Sequence, residues 1–326
     1  MQFMVPVARA LRDRVAMFGV ANVAEGRELR SAVGDATIFL LGPALPEERA
    51  EIIQSGMIPA ISNYDEAYAY NALIDRTPAR VHLAIDTGMG RMGVWEADVL
   101  ETVQAIRKLP RIVLTGVATH LPVADEDSEF TEQQLDRFRR LLQELRALGF
   151  TELIDHSENS AGLIGFPEKA GAMVRTGLAL YGSAPLSAFQ SRLTPVMTWK
   201  TRITLVRAVG AGRGISYGRT FITPREMRVA TLGVGYADGY RRHLSSNDAD
   251  VLVRGRRCRV VGRVTMDQIM IDVSSLPDAC AGDEVVLMGR QGDEEIAVTE
   301  LARKAGTIAW DIFTGLGTRV ERVYLS

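Results

Sequence analysis

The run Val81-His-Leu-Ala-Ile-Asp-Thr-Gly-Met-Gly-Arg-Met-Gly93 decides the fold. It opens as an apolar strand, Val81–Asp86, and breaks into a turn where Gly88, Gly90 and Gly93 permit unusual backbone angles and close approach of a ligand. A strand that is apolar throughout belongs in a sheet covered on both faces, hence a parallel sheet with crossover helices. The same pattern recurs on either side. Strands are expected at Val15–Ala21, Thr37–Leu41, Ile58–Ser62, Val113–Leu121, Leu153–Ser157 and Val174–Leu180. Amphipathic helices separate them, such as Ala97–Leu109 and Thr131–Leu148, the latter with Leu135, Phe138, Leu141, Leu142, Leu145 and Leu148 at helical spacing. This alternation predicts an α/β fold, a (β/α)8-type TIM barrel with chemistry at the C-terminal ends of its strands. Such a barrel needs an eighth strand, and Met1–Leu11 reads as a helix. The first strand is therefore expected to be missing from the barrel.

From about Leu193 the pattern changes to short β-rich runs joined by Gly, Asp and Asn turns: Val196–Val209, Val229–Gly233, Val251–Val253, Arg257–Val264, Ile269–Val273, Glu284–Leu287 and Arg319–Tyr324. One short helix, about Glu300–Ala305, interrupts them, with Thr299 as its N-cap. The expected division is an α/β barrel domain over 1–190 and a mainly β domain over 191–326.

Composition narrows the function. The 326 residues are 47% hydrophobic and 24% charged, with a net charge of −2 and no long run of one sign. That excludes a disordered or fibrous chain and leaves no electrostatic footprint for nucleic acid or an anionic membrane. The longest uncharged stretch, Thr176–Ser191, is too short and too broken by Gly, Ser and Pro to span a bilayer. Lone Cys258 and Cys280 fit a reducing compartment, so the expected location is cytoplasmic. The only lysines are Lys108, Lys169, Lys200 and Lys304; every other basic residue is arginine.

Several polar residues stand where chemistry would sit. Arg91 lies between glycines, placed to reach into a cavity or simply solvated. His120 and His156 end two further strands, and the His120/Asp125 spacing also admits a weak metal site. Arg175 interrupts the apolar run Met173–Gly182 and must meet a partner, because an unpaired buried charge is very costly. In the second domain Ser216–Phe221, Gly233–Tyr240 and Gly262–Gln268 are glycine-rich polar and aromatic clusters. Each alone could be a turn and nothing more.

Together, in this order and spacing, the motifs resemble those of bacterial alanine racemase, a pyridoxal 5'-phosphate (PLP) enzyme of fold-type III. They are DTGMGRMG (Asp86–Gly93), THLPVADE (Thr119–Glu126), ENSA (Glu158–Ala161), VRTGLALYG (Val174–Gly182), SYGRTF (Ser216–Phe221), GYADGY (Gly235–Tyr240) and GRVTMDQ (Gly262–Gln268), spread over essentially the whole chain. The resemblance implies racemisation of alanine by two opposed acid/base groups on PLP, in a homodimer with shared sites. It implies that Tyr217 is one of those groups, that His120 links it to Arg175, and that Arg175 keeps the pyridine nitrogen unprotonated. Coupled in this way, a buried tyrosine would have a lowered pKa. Arg91 would contact the cofactor's phenolic oxygen and the substrate carboxylate. His156, Ser160, Gly177 and the backbone at Leu178 would hold the cofactor. Met266 and Asp267 would close the substrate site from the neighbouring subunit, and Tyr236 would stand at its entrance.

Three positions depart from the family pattern. The Schiff-base lysine, which is also the second base, has no counterpart, since none of the four lysines falls in its motif. Ala84 stands where many members carry a carbamylated lysine that orients the arginine matched by Arg91. Trp310 stands where a tyrosine contacts the cofactor phosphate; its indole N–H is still a donor. The alternatives are a catalytically silent member that binds PLP or a partner, and, more weakly, a metal-dependent hydrolase built on His120 and His156.

Overall fold

The computed structural model describes residues 4–75, 77–245 and 248–325. The chain divides into two compact units. One runs to Gly177 and also takes Pro185–Ser187; the other takes Leu178–Ala184 and Ala188–Val323.

The first unit is built as the alternating pattern requires. Its strands are β1 (Phe18–Val20), β2 (Ile38–Leu40), β3 (Ile58–Ile61), β4 (Ala79–Asp86), β5 (Val94–Trp95), β6 (Ile112–Ala118) and β7 (Ile154–His156). All pair in parallel, in the order β1-β2-β3-β4-β6-β7, with two-residue β5 beside β4. The intervening helices are α1 (Met4–Leu11), α2 (Val23–Val33), α3 (Arg49–Gln54), α4 (Tyr64–Leu73), α5 (Val99–Ile106), α6 (Ser128–Ala147) and α7 (Ser160–Gly165). This is the barrel-type architecture expected. The first three residues of the expected Met1–Leu11 helix lie outside the described residues. Helix α6 shows how the sequence makes an element: Asp127 caps it by accepting from Phe130 N at 3.0 Å, and Leu135, Phe138, Leu141, Leu142 and Leu145 form its buried stripe.

Two strand expectations are corrected. Val174–Leu180 is irregular up to Gly177 and then turns into a 3-10 segment (Leu178–Tyr181), so it is no strand. Its backbone bonds go to a loop and a side chain: Arg175 N donates to Glu158 O at 2.9 Å, and Gly177 N to Ser160 Oγ at 3.0 Å. Arg319–Tyr324 is not a strand either, because Arg322 satisfies the nearby Leu316 and Gly317 carbonyls with its own guanidinium.

The second unit is mainly β. Its elements are β8 (Trp199–Val209), β9 (Gly214–Ile215), β10 (Phe221–Ile222), β11 (Met227–Leu232), β12 (Asp250–Val253), β13 (Arg256–Arg259), β14 (Ile269–Asp272), β15 (Glu284–Gln291) and β16 (Glu294–Ile296). Seven of these make an antiparallel sheet in the order β13-β12-β15-β8-β11-β14, with β16 on β15. Two helices follow, α8 (Val298–Ala305) and α9 (Ala309–Thr314). Thr299 is not the cap of α8: Ala297 holds that position with no side-chain bond, and Thr299 lies inside the first turn.

Candidate active site

In the first unit the site lies beyond the C-terminal ends of β4, β6 and β7. The DTGMGRMG turn leaves β4 with Asp86 Oδ1 accepting from Gly88 N and Met89 N, both at 2.9 Å. Gly88, Gly90 and Gly93 all take positive φ (139°, 69° and 112°), so the turn needs them. Arg91 projects from it, exposed, with no hydrogen bond or ion pair among the described residues. Ala84 lies buried on β4, two residues before Asp86, and its methyl group offers no polar partner.

Arg175 is the centre. Its Nη1 donates to His156 Nδ1 at 2.6 Å and His156 O at 2.8 Å. Its Nη2 reaches Thr119 O (2.7 Å), Ser157 O (3.2 Å) and His120 Nδ1 (3.3 Å). The predicted partner for this charge is thus a set of neutral acceptors, with no carboxylate among them. Burial lowers the Arg175 pKa to about 10, against which Glu158 raises it and Arg91 lowers it further. The guanidinium is charged at neutral pH. Burial, then Arg175, then Arg91 push His120 down to about 4, so its imidazole is neutral.

Beside this cluster, Asn159 caps α7: its Oδ1 accepts from Ala161 N and Gly162 N, and its Nδ2 donates to Leu121 O at 2.8 Å. That fixes Ser160 against Gly177. A Cβ built on Gly177 would meet nothing within 4 Å, so the Ser160–Gly177 corner opens onto free space. Leu178 is buried. Sequence reading missed one member of the site: His82, on β4, lies 2.9 Å through Nδ1 from His156 Nε2. The available signal was a second polar residue inside an apolar strand. Among the described residues no group of three or more His, Cys, Asp or Glu could hold a metal, which leaves the hydrolase alternative without a ligand set.

In the second unit three sequence motifs meet. Ser216 Oγ donates to Arg263 O at 2.6 Å, joining SYGRTF to GRVTMDQ. Tyr236 N and Ala237 N donate to Thr265 O (3.0 Å) and Met266 O (3.1 Å), joining GYADGY to the same motif. Arg319 then clasps Asp238 and Asp267 at 2.9 and 2.8 Å. Around Tyr217 the backbone is strained, with positive φ at Ser216 (62°), Gly218 (70°) and Arg219 (46°). Tyr217 is 70% exposed in the single chain, on a unit that also exposes Met266 (52%) and Tyr236 (42%). Trp310 is likewise exposed, on α9.

The joint between the two turns is testable. A Cβ on Gly235 would stand 2.2 Å from Met266 O and 2.3 Å from Thr265 O, both backbone. Gly235→Ala should therefore part the Tyr236 and Met266 turns and cost about 1–3 kcal/mol. A lowered melting temperature would show it; an unchanged one would mean the turns are not locked together.

The match to known proteins is extensive. Residues 2–185 fit the family model "Alanine racemase, N-terminal domain" and residues 196–324 fit "Alanine racemase, C-terminal domain". The alanine racemase of Symbiobacterium thermophilum is 46% identical, and that of Halothermothrix orenii 43%, each over 98% of this chain and 86% of the relative. Among solved structures, alanine racemase of Clostridium difficile 630 superposes with a TM-score of 0.90 at 33% identity, covering 98% of this chain and 85% of that one. The Bacillus anthracis enzyme with bound L-Ala-P gives 0.84 at 30% identity, with 97% and 90% covered.

Proposed function

This chain belongs to the alanine racemase family, and we propose that it interconverts L- and D-alanine by two-base proton transfer, as a cytoplasmic homodimer with shared sites that supplies D-alanine for peptidoglycan precursors. The family is one of pyridoxal 5'-phosphate-dependent isomerases, and that is the cofactor here. The observation that carries the reading is the Arg175 cluster. A guanidinium that stays charged among neutral acceptors can donate a hydrogen bond to a pyridine nitrogen but cannot readily give it a proton. The open corner at Ser160 and Gly177 fits a phosphate group. When bound, the cofactor supplies the electron sink that makes the substrate Cα–H bond acidic.

The remaining roles belong to side chains. Arg175 holds the ring nitrogen, while Ser160, Gly177 and the Leu178 backbone hold the phosphate. Trp310 is assigned a supporting contact to it, and His156 reaches the cofactor through Arg175. Arg91 binds the substrate carboxylate. Tyr217 of a second copy moves the Cα proton on one face, with neutral His120 connecting it to Arg175. Met266 and Asp267 of that copy close the site and Tyr236 lines its entrance. The exposure of Tyr217, Met266 and Tyr236 in the single chain supports this: hydrogen-bonded neighbouring turns, the one at Tyr217 strained, that bear bare aromatic and thioether groups suit burial against a partner.

One observation favours a silent member instead. None of the four lysines falls in the family's lysine motif, and each has other surroundings: Lys108 on the exposed turn after α5, Lys169 near Asp136, Lys200 with Glu284, and Lys304 with Asp250 and Glu300. Titration with PLP separates the readings. A visible cofactor band that survives dialysis marks covalent capture by a lysine; one that dialyses away marks a site that holds the cofactor loosely. No binding at all would defeat both. In a polypeptide that includes the second base, mixing Tyr217→Phe with Arg91→Ala chains should restore about a quarter of the sites. Failure to restore any, with both variants folded, would contradict the shared site.

A further inference from the structure

Behind Arg175 lies a chain of buried rings that the racemase reading does not assign. His156 and His82 are both fully buried, their ring centroids 5.1 Å apart, and both lie against Phe39 of β2 at 5.4 and 4.9 Å. His82 fits only because β6 carries glycine opposite it: a Cβ on Gly116 would stand 2.6 Å from the His82 ring. The sequence of hydrogen bonds is directional. An arginine has no acceptor, so His156 Nδ1 must accept from Arg175 Nη1. His156 is then protonated on Nε2 alone, and that N–H must be the donor toward His82 Nδ1 at 2.9 Å. His82 in turn carries its proton on Nε2, a buried atom with no hydrogen-bond partner among the described residues. Leaving such a donor unpaired is costly, so the arrangement stands against a local penalty. Neither ring escapes by charging: burial and the neighbouring positive charges of Arg80 and Arg175 hold His82 near 4, and burial, then Arg175, then His82 hold His156 lower still.

We propose that His82 is a positioning residue for the racemisation site, whose Nδ1 accepts from His156 Nε2–H and so holds that ring, and through it the guanidinium, in place. It touches neither cofactor nor substrate; it acts through His156. The role in catalysis rests on the PLP reading above, whereas the hydrogen-bond chain does not.

Selective 15N labelling of histidine in the whole chain tests the chain of bonds directly, since long-range proton–nitrogen correlations distinguish the two neutral tautomers and the ring N–H proton shift reports its hydrogen bond. In the wild-type chain both His82 and His156 should be protonated on Nε2 alone at pH 7, with the His156 Nε2 proton shifted downfield by its bond to His82. His82→Asn places an amide oxygen where Nδ1 stood and should keep that shift. His82→Leu removes the acceptor, so the His156 Nε2 proton should move upfield while Arg175 keeps the tautomer unchanged. An unchanged Nε2 proton shift in folded His82→Leu, or wild-type His82 protonated on Nδ1, would overturn the proposal. The second of these is read from the wild-type spectrum even if a variant fails to fold. PLP titration of the same proteins reads the consequence: the dissociation constant should rise about tenfold in His82→Leu and stay within about threefold in His82→Asn. Equal affinity in all three would remove the link to Arg175. Absence of PLP binding in the wild-type chain would refute the cofactor reading and leave the tautomer result standing on its own.

Discussion

A polypeptide of residues 1–326 supplied with PLP should exchange deuterium into Cα of L- or D-alanine at least about 10⁴-fold more slowly than an ordinary enzyme turnover of roughly 1–1,000 per second. Two-base racemisation needs a group on each face of Cα, and within these residues only Tyr217 is assigned to one. In the family pattern the other is a lysine that also binds the cofactor, so a polypeptide without it lacks a proton carrier and an anchor together. The lysines of residues 1–326 have other engagements: three pair with carboxylates and the fourth is exposed beyond α5. Strand β1 pairs only with β2 among the described residues, so a strand bearing a lysine has a place to dock on its other edge. Adding such a strand at the N-terminus should restore exchange and a dialysis-resistant visible band together. Exchange at an ordinary rate by residues 1–326 alone would mean that one of the four lysines reaches the substrate, and the assignment of bases would have to be redrawn.

How much of this was legible beforehand depended on whether a residue's partner was local. The α6 stripe is a short-range feature and reads correctly as far as Leu145, with Leu148 falling at the C-cap; the Asp127 cap, ahead of the expected start at Thr131, was not anticipated. Arg175 announced itself because a charge in an apolar run demands a partner; what could not be read was that the partners are carbonyls and imidazoles from two separate strand ends. The same residue spoiled the strand expected around it. Val174–Leu180 has the composition of a strand, yet its backbone donors are drawn to Glu158 and Ser160 by the site itself. The tail Arg319–Tyr324 alternates as a strand would, but a guanidinium four residues or more from its targets satisfies the carbonyls first. Helix α8 lacks the side-chain cap that Thr299 offered, since Ala297 precedes a helix held by burial of Leu301, Ala302 and Ala305. His82 was passed over for the opposite reason: a lone histidine in an apolar strand reads as core, and only the register with Gly116 shows why a ring fits there.

The barrel unit should be markedly acid-labile, losing stability between about pH 6.5 and 4. Three of the chain's four histidines belong to the Arg175 cluster, and all three are neutral in the fold, with His82 and His120 near 4 and His156 lower. In the unfolded chain each would titrate near 6.5. Across that window the unfolded state binds more protons, so stability rises with pH and falls as acid is added. Each group contributes up to about 1.4 kcal/mol per pH unit, hence about 4 kcal/mol per unit for three. Against a typical total of about 5–15 kcal/mol, that is enough to open the unit near pH 5. Carboxylates act in a separate range: Glu300, bonded to Arg257, and Asp283, bonded to Arg254, have lowered pKa values, so their contribution persists above about 4.5 and fails only below it. Urea unfolding at pH 7, 6 and 5, followed by amide exchange of β4 and β6 peptides, would measure the slope. It should become about a third shallower in His82→Asn, which removes one titrating group. A flat response down to pH 4.5 would show that these imidazoles are not held neutral. The arrangement that keeps Arg175 charged and aimed would then need another explanation, because an imidazolium at position 156 could not accept from it.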